Sequence, residues 1–168
     1  MSNFLLDLSG RADLASLAAL IRDLQAAASA EQWLLVGAMA RDLWLFYAHG
    51  IETGRATTDV DFAVALTDWS AFEALRERLL ASGRFRAERT LHRLQHASGR
   101  RLDLVPFGRV ADAHGVIAWP PDGAVRMSVA GYDEALAVAR APHRDRMPRS
   151  GAALRHCPAD RCEGADRG

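Results

Sequence analysis

Apolar residues recur at helical spacing near the start of the chain and then alternate with polar residues in shorter segments. An i, i+3, i+4 pattern predicts an amphipathic first helix, and its positions are Leu14, Leu17, Leu20, Ile21 and Leu24. The segment QWLLVG predicts a short buried strand that ends at Gly37. The following AMARDLWLFYAHG predicts a helix that Gly50 ends. Because this helix is apolar on most sides, we expect the aromatic residues in and beside it to lie in the core, namely Trp33, Trp44, Phe46 and Tyr47.

Strict alternation begins in the segment TDVDFAVAL and predicts a strand with Asp59 and Asp61 on the face opposite its large apolar residues. Asp68 is a suitable N-cap for a second amphipathic helix, DWSAFEALRERLLASG, which Gly83 ends. RFRAERT, LHRLQHA and RLDLVPF predict three consecutive strands, the last two joined by a Ser98-Gly99 turn. VIAWP and AVRMSV predict two more short strands, and GYDEALAVAR a short helix.

This order of elements predicts an α/β or α+β domain with a small mixed β-sheet flanked by helices. We place the domain at residues 1–140, because the apolar pattern stops near Arg140. The remaining residues, 141–168, are rich in Arg, Pro, Gly and Ala. We predict that they form a disordered or aberrant, frame-shifted C-terminal tail.

Composition narrows the function classes only slightly. Of the 168 residues, 49% are hydrophobic, and the net charge is zero, so no global basic field attracts nucleic acid. All 21 basic residues are arginine, which excludes a lysine nucleophile or a Walker-type phosphate lysine. No signal peptide or apolar run of about 20 residues is evident, and the two cysteines lie near the C-terminus. We therefore expect a cytoplasmic protein with no membrane partner.

Two acidic residues on one strand face carry the first chemical signal. Asp59 and Asp61 are two positions apart, so both side chains lie on the same face, about 7 Å apart along the strand. Two such carboxylates repel each other unless a cation lies between them. Mg²⁺ prefers oxygen ligands and often takes its remaining ligands from water and phosphates. The D-x-D pattern is therefore suited to phosphoryl transfer, although a solvated strand edge explains it equally well.

A third acid, Asp103, stands alone in the apolar strand RLDLVPF. If this strand neighbours TDVDFAVAL, Asp103 joins the face that carries Asp59 and Asp61. Three acids on two strands would suit two metal ions, spaced roughly 3.5–4 Å apart in known two-metal sites. A paired or edge aspartate is an equal alternative for Asp103 alone, but the three acids together favour a functional site.

The turn between the strand WLLVG and the next helix suits an anion. Gly37 lets the backbone approach a phosphate closely, and the free N–H groups of a helix start favour negative charge. Arg41, one turn into the helix, could reach a phosphate oxygen or contact Asp59 or Asp61. A structural glycine and a surface arginine remain the alternative for this turn in isolation.

The segments LLVGAMARDLWL, RATTDVDFAV and RLDLVPF, in this order, resemble the DNA polymerase β-like nucleotidyltransferase superfamily. That superfamily has a glycine pair that opens a helix, a D-x-D strand and a later third acid. The size of the chain is similar to that of the small bacterial nucleotidyltransferases of toxin–antitoxin and abortive-infection systems. One departure is Ala38, where the superfamily usually has Gly or a Ser that helps to hold the triphosphate.

The resemblance implies the polymerase β-like fold and Mg²⁺-dependent transfer of a nucleoside monophosphate from an NTP such as ATP to a hydroxyl, with pyrophosphate leaving. It implies two Mg²⁺ ions, held by the catalytic residues Asp59, Asp61 and Asp103. It implies a nucleotide seat formed by Gly37, Ala38 and Arg41. RNA, including tRNA, a protein and a small molecule remain open as acceptor, and a cognate antitoxin is an expected partner. Two alternatives are a catalytically weak member that acts as a binding or regulatory protein, and a metal-dependent nuclease or phosphatase.

Overall fold

A computed structural model describes residues 7–8, 10–53 and 57–140. Its helices are α1 (Ala15–Ala27, preceded by a 3₁₀ turn at Ala12–Leu14), α2 (Gly37–Leu43, continuing as a π-helical segment at Trp44–Ala48), α3 (Trp69–Ala81) and α4 (Tyr132–Arg140). Its strands are β1 (Gln32–Val36), β2 (Asp59–Ala65), β3 (Phe85–Ala87), β4 (Arg93–His96), β5 (Arg101–Phe107), β6 (Val116–Ala118) and β7 (Arg126–Ser128). The predicted tail, residues 141–168, lies outside the described residues.

A five-stranded mixed sheet positions the acidic residues. Its strand order is β1-β2-β5-β4-β3, with β2 and β5 parallel and the other neighbours antiparallel. The predicted α+β fold with a small mixed sheet is therefore confirmed. The short strands β6 and β7 do not join this sheet but pair with each other as a separate antiparallel hairpin.

The hydrophobic core lies between the sheet and the helices α1 and α3. Val60 and Phe62 of β2 are fully buried, as the alternation predicts. The largest fully buried side chains of the helices are Leu20, Leu24, Phe72, Leu75 and Leu79. Burial of this size contributes about 1.5–3 kcal/mol for each large apolar side chain. The opposite face of β2 is thereby left for Asp59 and Asp61.

Local signals fix the ends of α3 as predicted. The Asp68 carboxylate accepts a hydrogen bond from the backbone N–H of Ala71 at 2.9 Å, as an N-cap does. At the other end, Gly83 adopts a φ of +70°, which only glycine adopts readily. The cap and the glycine together set the length of the helix.

The expectation of an aromatic core around α2 is wrong for two residues. Trp44 and Phe46, in the π-helical segment, are each 41% exposed. A helix that is apolar nearly all round can bury only the sides that face other elements, and the described residues cover these two rings only in part. Trp33 does pack as expected, with its ring 5.2 Å from that of Phe62.

Candidate active site

The three predicted acids lie on β2 and β5, which run side by side. The parallel register pairs Asp61 with Asp103 and Asp59 with Arg101. Neighbouring strands lie about 4.8 Å apart, and residues in register point to the same face. Asp59, Asp61 and Asp103 thus share one face of two adjacent strands, which is the condition that the sequence analysis set for a joint site. We call these three residues the carboxylate row.

Asp61 is the central and least compensated acid of the carboxylate row. Partial burial raises the pKa of its carboxyl above the ordinary value, and the negative charges of Asp103 and Asp59 raise this pKa further. The nearby guanidinium of Arg93 opposes these effects only in part. A carboxylate in this position gains free energy from any cation that binds beside it.

Asp103 is held by an arginine from the next strand. The antiparallel register of β4 and β5 places Arg93 opposite Asp103. Arg93 Nε donates to Oδ1 at 2.7 Å and Nη2 donates to Oδ2 at 2.5 Å, a two-bond contact that matches the fork of the guanidinium to the carboxylate. The Asp103 side chain is only 12% exposed, and its hydrogen bonds with Arg93, together with its charge, raise the pKa of Arg93. Without Arg93, a nearly buried charge would lack its main partner.

Asp59 is paired more loosely, with Arg101 of β5. The distance from Arg101 Nε to Asp59 Oδ1 is 3.0 Å, and the two side chains are 42% and 36% exposed. The hydroxyl of Thr58 also donates to Asp59 Oδ1, at 3.3 Å. Arg101 precedes Asp103 by two positions on the same strand, so both side chains lie on the face of the carboxylate row.

Gly37 lies directly against the central acid. The register of β1 and β2 pairs Val36 with Asp61, so the chain enters α2 beside the Asp61 carboxylate. Gly37 has a φ of +71°, and a β-carbon built there would lie 2.9 Å from Asp61 Cγ. Both the backbone conformation and the space require glycine at this position.

A cavity of about 450 Å³ opens beside the carboxylate row. Ala38 and Arg41 of α2 line it together with Asp59 and Arg101. The expected contact of Arg41 with Asp59 or Asp61 is not observed. Instead, Arg41 Nη2 donates a hydrogen bond to Asp42 Oδ1 at 2.8 Å. Asp42, whose side chain is 15% exposed, follows Arg41 directly in the chain and also lines the cavity. Arg41 therefore pairs with this acid and not with an acid of the carboxylate row.

The carboxylate oxygens of this row are suitable ligands for a hard cation such as Mg²⁺. Two of the three acids, however, form ion pairs with arginines. Within residues 7–8, 10–53 and 57–140, no three His, Cys, Asp or Glu side chains are grouped so as to hold a metal ion. Asp59 and Asp103 instead form ion pairs with Arg101 and Arg93. A metal bound here would take carboxylate oxygens from the carboxylate row in exchange for these arginines, and Asp61 provides the uncompensated charge that favours it.

The histidines of β4 and its entry are not placed as metal ligands. His96 is buried and contacts Asp23 through Nε2 at 2.9 Å and Ser98 through Nδ1 at 2.7 Å. The ring of His92 lies 4.9 Å from that of Trp119. Both residues therefore have structural contacts.

The two arginines that pair with acids of the carboxylate row were not predicted from the sequence. Arg101 had a usable signal, because alternation alone puts it on the face of Asp103. Arg93 had none, because its position opposite Asp103 depends on the pairing register of β4 with β5.

The chain was also compared with known proteins. Residues 18–148 match the family model described as nucleotidyl transferase AbiEii toxin, type IV TA system. No curated protein and no solved structure matches the chain. In the described part of the chain, no helix has the length and apolar character needed to cross a membrane. The matched stretch includes the whole carboxylate row and the glycine turn.

Proposed function

Because the chain belongs to the nucleotidyl transferase AbiEii toxin family of type IV toxin–antitoxin systems, we propose that it transfers a nucleoside monophosphate from an NTP to a hydroxyl acceptor. The proposed reaction depends on Mg²⁺ and releases pyrophosphate. The observation that carries the proposal is the register of Asp61 with Asp103 on adjacent parallel strands. The raised pKa of Asp61 supports it, because a cation would stabilise the negative charge that burial and the neighbouring acids disfavour.

Asp59, Asp61 and Asp103 would hold the metal. Mg²⁺ held by these carboxylates would neutralise the phosphates and activate the acceptor hydroxyl. In the transfer, the acceptor oxygen forms a bond to the α-phosphorus, and the bond from that phosphorus to the β-phosphate oxygen breaks. A carboxylate oxygen of Asp103 accepts the hydroxyl proton. Arg93 donates one hydrogen bond to each oxygen of Asp103, which leaves a lone pair on each oxygen for the proton.

The start of α2 and the cavity would seat the nucleotide. Gly37 brings the helix start close to Asp61, and backbone N–H groups at such a start bind phosphate. Ala38 and Arg41 line the cavity next to this turn. Arg41 is 59% exposed, but a phosphate in the cavity would compete for its guanidinium with Asp42, whose side chain is 15% exposed. The acceptor, whether RNA, a protein or a small molecule, would approach from the side of Asp103.

A non-catalytic binding or regulatory role is the second candidate. The ion pairs of Asp59 and Asp103 with arginines are the observation that favours it, because they satisfy two acids without a metal. In either role, the family description makes a cognate antitoxin the expected protein partner.

Labelled nucleotides test the proposal directly. The purified chain is incubated with Mg²⁺, total RNA and protein extract, and each of the four NTPs in turn, labelled at the α- or the γ-phosphate. We expect the α-label to become attached to a macromolecule or small molecule, with pyrophosphate released and no transfer of the γ-label. Asp61→Asn should abolish the transfer. Asp112→Asn, in a loop outside the carboxylate row, is the matched control and should retain it.

The possible results separate the candidates. Saturable NTP binding without transfer of the α-label would overturn the enzymatic proposal in favour of the binding role. Shortened RNA, or free phosphate without an attached label, would overturn it in favour of a nuclease or phosphatase.

A further inference from the structure

The cavity beside the carboxylate row contains a second arginine that the proposed nucleotide seat does not use. Arg101 lines it together with Arg41 and the two hydroxyl-bearing residues Thr57 and Thr58. At about 450 Å³ the cavity falls within the 300–1,000 Å³ that is typical of small-molecule sites. The acids Asp42 and Asp59, which pair with these arginines, also line the cavity, so its two guanidinium groups and two hydroxyls suit a ligand with several phosphate oxygens when that ligand displaces the acids.

The position of Arg101 follows from the sheet. As the first residue of β5, it lies two positions before Asp103 and in register with Asp59. It therefore reaches both the carboxylate row and the cavity. Its contact with Asp59 uses Nε, one of three guanidinium nitrogens that can donate.

Arg93 and Arg101, which pair with acids of the carboxylate row, differ in the strength of their ion pairs. Arg93 makes two hydrogen bonds to a carboxylate that is 12% exposed, whereas Arg101 contacts a carboxylate that is 36% exposed. An ion pair with this degree of exposure contributes little to stability. Arg101 can therefore leave Asp59 more easily than Arg93 can leave Asp103.

Binding of a cation to Asp59 would weaken the hold on Arg101. The cation would neutralise the charge that keeps the guanidinium in place, and the guanidinium would then face the cavity without its partner. A triphosphate that enters with the cation offers a new partner of the geometry that arginine prefers.

We propose that Arg101 is a phosphate-binding residue that exchanges Asp59 for the triphosphate of the nucleotide when a divalent cation binds the carboxylate row. The proposal rests on the function proposed above and adds to it a residue and a coupling between metal and nucleotide. The coupling has two opposite consequences. Arg101 competes with the free metal for Asp59, and it favours the triphosphate once the metal is bound.

Two binding measurements on the full chain test this exchange. Mn²⁺ alone is titrated and the free ion is measured by electron paramagnetic resonance. Inorganic tripolyphosphate is titrated by calorimetry at a saturating concentration of Mn²⁺. In Arg101→Ala we expect tripolyphosphate binding to weaken roughly ten- to a hundredfold, as the loss of a hydrogen bond to a charged group implies. Mn²⁺ alone should bind the same variant more tightly than it binds the wild type.

The chain contains a closely matched control. Arg126 is the first residue of β7 and pairs with Asp112 at 3.3 Å, with 64% of its side chain exposed. Arg126→Ala should change neither titration. Arg101→Lys should bind tripolyphosphate more tightly than Arg101→Ala but less tightly than the wild type. Lysine keeps the positive charge but lacks the planar pair of donors of the guanidinium. Arg101→Gln keeps much of the side-chain length and provides a second neutral variant if Arg101→Ala fails to fold.

Each contrary result has a definite meaning. If the wild type binds tripolyphosphate and the neutral Arg101 variants bind it equally well, the exchange is wrong and the proposed function stands. Weaker Mn²⁺ binding in these variants would also overturn the exchange, because Arg101 would then support the acids rather than compete for them. If the wild type binds neither Mn²⁺ with tripolyphosphate nor Mn²⁺ with any NTP, both the exchange and the proposed function are wrong.

Discussion

Gly37 packs against the Asp61 carboxylate so closely that a β-carbon at position 37 would lie 2.9 Å from Asp61 Cγ, and nearer still to Oδ2. The glycine therefore sets the position of the central acid of the site as well as the turn into α2. If position 37 needed glycine only for its positive φ, a β-carbon there would not clash with a residue of the neighbouring strand.

Gly37→Ala should consequently affect binding more than a glycine replacement that only strains the backbone. Gly83 is the matched position, with a φ of +70° and nothing within 4 Å of a built β-carbon. Both replacements should lower the free energy of unfolding by about 1 kcal/mol through the left-handed backbone. Only Gly37→Ala should also displace Asp61 and weaken Mn²⁺ binding.

Chemical denaturation and Mn²⁺ titration of the two glycine variants check this expectation. Equal Mn²⁺ affinity in Gly37→Ala and the wild type would show that Asp61 accommodates the methyl group. The glycine would then matter only for the turn.

The sequence predicted on which strand face the acids lie, because strand alternation is a local property. Asp59 and Asp61 had to share a face, and the isolation of Asp103 in an apolar strand marked it before any pairing was known. Arg93 could not be found in this way, since its partner is set by the register of β4 with β5. The Ser98-Gly99 turn was evident in the sequence, but the register of the hairpin was not.

The exposed Trp44 and Phe46 were misplaced for a related reason, because an apolar helix surface does not show which sides its neighbours cover.

Removal of the charge of Asp61 should stabilise the metal-free protein. Burial and the charges of Asp103 and Asp59 raise the pKa of Asp61 above its ordinary value of 3.8, so the folded state holds this proton more tightly than the unfolded state. The stability that this proton contributes is present below that value and is lost as the pH rises through the folded-state pKa. At neutral pH with a chelator present, Asp61→Asn should therefore melt at a higher temperature than the wild type.

Asp112 provides a control of opposite sign. Hydrogen bonds from the backbone N–H groups of Val116 and His114 lower the pKa of its carboxyl, so its contribution to stability is lost as the pH falls. Asp112→Asn should therefore melt at a lower temperature than the wild type at neutral pH. If Asp61→Asn melts lower as well, Asp61 has a stabilising contact that outweighs its repulsion by the other acids.

Loss of Arg93 should destabilise the fold and increase the response to metal. Arg93→Ala leaves the nearly buried Asp103 carboxylate without its two donors, beside the already repelled Asp61. We expect a loss of about 2 kcal/mol, less than the 3–5 kcal/mol of fully buried pairs because Arg93 is 30% exposed. Mg²⁺ should then raise the melting temperature of the variant by more than it raises that of the wild type.

Scanning fluorimetry with and without Mg²⁺ measures both effects of the Arg93 replacement. Asp103→Asn in the Arg93→Ala background should recover stability in the absence of metal and remove the extra response to Mg²⁺. If Mg²⁺ stabilises Arg93→Ala no more than the wild type, Asp103 is a structural acid and not a metal ligand.

Restoring a hydroxyl at the start of α2 should strengthen nucleotide binding. Ala38 lines the cavity beside the carboxylate row, at the position where the superfamily that the sequence resembles usually has Gly or Ser. A serine at this position would add one hydrogen bond to a charged phosphate, which is worth roughly a tenfold gain in affinity at the low end of the range for such bonds. Ala38→Ser should therefore bind tripolyphosphate with Mn²⁺ more tightly by about this factor, with unchanged affinity for Mn²⁺ alone. Ala40→Ser, on the same helix but not among the residues that line the cavity, is the control and should change neither value. An unchanged or weaker tripolyphosphate affinity in Ala38→Ser would place the phosphates away from the start of α2, and Gly37 would then serve Asp61 alone.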